Sequence, residues 1–117
     1  MYSVQGIGAV VVSALCYSEV SGGAPVRYFV NNEVTPALSE QIFHGICLHN
    51  KKGAVTSVQI RGFVTVSYTG DDPMIGYERF IANAEGSVKV DTSDNVDNPL
   101  RLVVEVDTEE KKVTFMM

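Results

Sequence analysis

From residue 58 to residue 68 the chain alternates. Val58, Ile60, Gly62, Val64, Val66 and Tyr68 are apolar or glycine, while Gln59, Arg61, Thr65 and Ser67 take most of the positions between them. A strand points successive side chains to opposite faces, so a period of two sustained over this span predicts one long half-buried strand and no amphipathic helix. Gly62 stands where a bulge or bend is tolerated, and Phe63 shares the polar side. The same alternation returns in Leu102, Val104 and Val106 and in Val113 and Phe115.

Turn-forming clusters punctuate the rest. Ser21-Gly22-Gly23, Asn31-Asn32, Asn50-Lys51-Lys52-Gly53, Gly70-Asp71-Asp72-Pro73, Glu85-Gly86 and the acidic stretch 91–98 separate runs rich in β-branched and aromatic residues. Strands are therefore expected near residues 8–16, 25–30, 42–48, 56–68, 77–82, 87–90, 100–106 and 113–116. Residues 77–82 are read as a strand, because Gly76 would cost a helix interior about 1 kcal/mol and Tyr77, Phe80 and Ile81 favour extended backbone. Residues 35–40 leave room for one short helical turn. The expected class is all-β: a small β-barrel or β-sandwich of short antiparallel strands with little helix.

A chain of 117 residues is one domain in size. The division expected is a single β domain over residues 23–117, preceded by a segment 1–22 that is either an N-terminal arm or the first strand. That segment carries more apolar residues than one strand of a small barrel needs, which makes Tyr2, Val4, Ile7 and Val10 the candidate partner-binding residues. It does not read as an export signal, since no Lys or Arg precedes its apolar run and the bulky Leu15 stands before Cys16. The run is also too short to span a bilayer, so no membrane association is expected.

The net charge of −5 is unevenly spread, about +1 over residues 1–70 and about −6 over residues 71–117. An acidic second half repels phosphate backbones, and nucleic acid is not an expected partner. Cys16 and Cys47 have no CxxC spacing and read as reduced, buried thiols of a protein made in a reducing cytoplasm.

Little else points to chemistry. His44 and His49 are five residues apart and would face opposite ways on a strand, which argues against a shared metal. Cys47 shares a face with His49, the one conceivable nucleophile and base pair, but packing explains Cys47 as well. Asp91, Asp94 and Asp97 lack the alternate spacing, glycine and distal glutamate of a calcium loop and read as a solvated turn. No catalytic residue, metal or cofactor is assigned.

An ordered series of small signatures runs across residues 20 to 117. Gly23-Ala24-Pro25-Val26 opens a strand; then follow Phe43-His44-Gly45-Ile46, Val58-Gln59-Ile60-Arg61-Gly62-Phe63-Val64, Met74-Ile75-Gly76-Tyr77 and Ala84-Glu85-Gly86-Ser87-Val88, before an alternating terminal strand. In this order the series resembles the capsid cement, or decoration, proteins encoded by tailed bacteriophages and prophages. The resemblance implies a compact β domain, without catalysis or cofactor, made in the bacterial cytoplasm and carried on the virion. There it would bind the outer face of an assembled head, often as a trimer, and clamp neighbouring copies of the major capsid protein. The alternative is a small-ligand or carbohydrate-binding β module using Tyr17, Tyr28, Tyr68 and Tyr77, although the chain has no tryptophan.

Overall fold

The structure is a computed structural model that describes residues 8–29, 31–49, 54–83 and 86–117. Among them are eleven strands: β1 (Val10–Cys16), β2 (Pro25–Phe29), β3 (Glu33–Pro36), β4 (Gly45–His49), β5 (Ala54–Arg61), β6 (Phe63–Ser67), β7 (Gly76–Glu78), β8 (Phe80–Asn83), β9 (Ser87–Val90), β10 (Arg101–Asp107) and β11 (Lys112–Met116). The protein is all-β, as expected. The first five strands close into a barrel in the order β1-β3-β2-β4-β5, with β5 returning to β1; β6-β11-β10-β7 form a four-stranded sheet, and β8 and β9 a hairpin. The strand-to-strand pairings are antiparallel except β1 with β3, where Leu15 and Cys16 lie beside Glu33 and Val34, and one isolated parallel bridge joins Tyr68 to Val88.

The barrel takes strands from both sides of residue 22. Its interior holds Ala14, Cys16, Val20, Ala24, Val26, Val34, Cys47 and Val58. The side chains are small because a five-stranded barrel is narrow. Gly45 belongs to the same economy, for a Cβ there would stand 2.5 Å from Val58 Cγ1. The second core lies under the four-stranded sheet and contains Phe43, Ile46, Val64, Val66, Tyr68, Phe80, Val88, Val103, Val113 and Phe115. Phe80 stacks on Phe115 at 4.7 Å between ring centroids, and Phe43 tilts against Phe115 at 6.2 Å.

Three expectations are corrected. The long strand at 56–68 is two strands in different sheets, divided at Gly62. That residue has φ +95°, and a Cβ on it would stand 2.8 Å from Ala9 Cα, so the chain turns a corner that glycine alone allows without strain. The strand at 77–82 is likewise split, at Arg79, into β7 on the sheet and β8 in the hairpin. Arg79 leaves the ladder to accept the Asp91 N–H at its carbonyl (2.8 Å) and to donate Nε to the Asn98 carbonyl (2.8 Å). In place of a helical turn at 35–40, residues 33–36 form β3, the strand that joins β1 to β2 and closes the barrel.

Candidate functional site

Of the sequence-predicted contact residues, Tyr2, Val4 and Ile7 lie outside the described residues. Val10 starts β1, opposite Arg61 on β5 and one step before a register shift, and is partly exposed. Its strand pairs with β5 along its length. Val12, Ala14 and Cys16 turn toward the barrel interior, while Val11 and Leu15 face out.

Cys47 is 1% exposed inside the barrel, its Sγ 3.6 Å from Thr56 Oγ1, and neither cysteine is in a disulfide. The side chain of His49 is outside the described residues, so the pairing of Cys47 with His49 is not formed from anything described. The 91–98 loop is more than a solvated turn. Asp91 Oδ1 accepts from the backbone N–H and hydroxyl of Ser93 (3.0 and 2.6 Å), and its Oδ2 accepts from Asn98 Nδ2 (2.8 Å). Asn98 is itself buried and donates to the Phe80 carbonyl at 2.9 Å. Burial pushes the Asp91 carboxyl up, but the Ser93 and Asn98 hydrogen bonds and the charge of Arg79 outweigh it and hold the pKa below the usual value. Among the described residues no cluster of His, Cys, Asp and Glu is arranged to hold a metal ion. No helix of the described residues is long and apolar enough to cross a membrane.

The outer face of the four-stranded sheet carries an apolar row that crosses every one of its strands. In β6 and β11 the inward side chains are Val64, Val66, Val113 and Phe115, so Phe63, Thr65, Ser67, Lys112, Thr114 and Met116 face out. Met116 lies opposite Phe63, and Tyr77 opposite Leu102. The pairing of Val103 with Phe115 places Leu102, one step on, beside Met116. Phe63, Met116, Leu102 and Tyr77 therefore form a single apolar row across all four strands, with Tyr77 68% exposed at the edge. Met74 and Ile75, 72% and 65% exposed, extend the apolar surface into the segment before β7.

Polarity grades away from this row. In the next one Thr65 and Thr114 share a hydrogen bond of 2.7 Å. In the one after, Lys112 Nζ donates to Ser67 Oγ at 3.0 Å and lies opposite Asp107. A graded face of this kind, apolar at one end and charged at the other, has an orientation for a docking partner.

The segment carrying Met74 and Ile75 is tied down at its base. Asp72 accepts from the Tyr68 hydroxyl at 2.6 Å and from Lys111 Nζ at 3.1 Å, and that ammonium also sits 5.2 Å from the centre of the Tyr68 ring. Burial, then the hydrogen bond to Asp72, pushes the Tyr68 phenol up to about 12. The bonds from Tyr68 and Lys111 hold Asp72 below the usual carboxylate value. Sequence reasoning missed this face because its residues come from four separate segments. The one local signal was an apolar residue at an outward position, Phe63 within its alternating run and Met116 at the end of β11.

No family model matches this sequence, and neither does any curated protein or solved structure.

Proposed function

We propose that this protein is a virion structural protein that binds the outside of an assembled bacteriophage capsid and stabilises the shell. The observation that carries the reading is the apolar row Phe63–Met116–Leu102–Tyr77, extended by Met74 and Ile75. A row this wide on the solvent face of an antiparallel sheet, where polar residues are the rule, suits a flat macromolecular partner better than a small ligand. The ordered resemblance to cement proteins supplies the partner, the major capsid protein, and the trimeric state. Binding is without catalysis or cofactor, in keeping with a Cys47 thiol packed inside the barrel.

A protein that recognises only the assembled shell stabilises it by mass action, and repeated copies reinforce one another. The test is to look for a major capsid protein gene beside this one and to co-sediment the protein with shells made from it. The intact protein is expected to bind shells, to raise their resistance to heat, and to bind unassembled subunits poorly. Tyr77→Asp together with Met116→Asp is expected to abolish binding with little change in melting temperature. Failure of the intact protein to bind such shells ends the reading.

A further inference from the structure

On the opposite face from the apolar row, three cationic or cation-forming side chains gather around residues 42–44. Arg27, on β2, donates Nη1 to the Ile42 carbonyl at 3.2 Å. His44 accepts the Tyr28 N–H at its Nδ1 (3.3 Å), which assigns the proton of the neutral ring to Nε2 and leaves that N–H for another acceptor. Arg101, on β10, lies over the ring of Phe43 with its Cζ 5.9 Å from the centroid. Strands from two different sheets thus deliver two guanidiniums to the short segment that carries the imidazole.

Among the described residues no carboxylate forms an ion pair with either arginine. The two ion pairs among the described residues, Lys89 with Glu40 and Lys111 with Asp72, both use lysine. Glu78 is across from Arg101 in the β7–β10 pairing but does not come within ion-pair distance of it. Burial lowers the pKa of Arg101 itself, and burial followed by the charges of Arg27 and Arg101 lowers that of His44. In a chain with 14 Asp and Glu, two half-buried guanidiniums thus flank one segment with no ion-paired carboxylate for either among the described residues.

We infer that Arg27, His44 and Arg101 form a receptor for a single carboxylate, that of an Asp or Glu side chain on a protein partner. The planar forks of arginine match the two oxygens of a carboxylate, and the His44 Nε2–H adds a neutral donor. A carboxylate offers two oxygens in one plane to these forks and neutralises one of the two positive charges, whereas a phosphate backbone would meet the −6 of residues 71–117. The inference rests on the reading above that this protein binds protein partners, and gives it a second contact on the face away from the apolar row. It is tested without the shell, so the two fail separately.

The experiment is an NMR titration of the intact protein, following the His44 ring resonances, with an acetylated Asp-Glu-Asp-Glu amide, its Asn-Gln-Asn-Gln counterpart and a short oligothymidylate. The acidic peptide is expected to shift the His44 signals saturably in the millimolar range and the neutral one to leave them in place. Arg101→Gln is expected to weaken binding about tenfold. Arg27→Gln, which leaves the contact with Phe43 intact, is expected to do the same and serves if the first variant folds poorly. His44 signals unmoved by the acidic peptide, equal shifts from the neutral one, undiminished binding in Arg27→Gln, or tighter binding of the oligothymidylate would each overturn the inference.

Discussion

Gln59 shows how one residue can reverse its reading. In the alternation it sits on the polar side, yet it is 1% exposed. Its Nε2 donates to the carbonyls of Arg61 and Phe63, both at 3.0 Å, and so bridges the corner at Gly62. Gln59→Leu keeps the volume but strands two carbonyls where the chain bends, and is expected to cost about 2 to 3 kcal/mol in chemical denaturation. His44 makes a second prediction at this scale. Its folded pKa is below the ordinary 6.5, so as pH falls through 6.5 the unfolded chain takes up the proton first and stability drops, levelling only below the folded pKa. Melting temperature is expected to fall between pH 7.5 and 5.5, and His44→Asn, which retains an acceptor for the Tyr28 N–H, to flatten that fall. Asp72 and Asp91, with pKa values held below 3.8, contribute stability that is lost only under more acid conditions, so the two windows separate.

At the scale of elements, β6 obeys the alternation. Val64 and Val66 are buried, and Thr65 faces solvent beside Thr114. Val64→Asp puts an unpaired charge against Phe115, its cross-strand neighbour, and is expected to cost more than about 3 kcal/mol or to prevent folding. Thr65→Asp loses one hydroxyl bond at the surface and is expected to cost about 1 kcal/mol. Equal losses in the two variants would place the wrong face inside. What the pattern of β5 and β6 did not reveal is their separation into different sheets, because alternation continues through a glycine corner as it does through a bulge. β3 escaped for a different reason: its four residues include Pro36 and end beside a turn, and their extended state depends on β1 and β2 lying on either side.

For the whole molecule, the segment joining β3 to β4 ties the three sheets together. The Glu40 N–H donates to the Ala82 carbonyl and the Ala82 N–H to the Gln41 carbonyl, each at 2.9 Å, while Glu40 pairs with Lys89 of β9. Phe43 then enters the core beneath the four-stranded sheet, followed by Ile46 on barrel strand β4. Barrel and sheet are therefore expected to melt in a single calorimetric transition. Phe43→Ala is expected to remove about 3 to 5 kcal/mol and to lower that one transition, and the appearance of two would show that the sheets fold independently.

Local alternation and turn chemistry determined that the chain is extended, which side chains of β6 and β11 face in, and where Gly62 permits a bend. These are properties of neighbouring residues, legible without knowing what lies across the sheet. The tertiary structure alone decided that Gln59 turns inward, that Phe63, Met116, Leu102 and Tyr77 align across four strands, and that Arg27 reaches the Ile42 carbonyl and Arg101 the Phe43 ring in the segment that carries His44. Each depends on register or packing between segments distant in the chain, and a strand carries no mark of its partner until they pair.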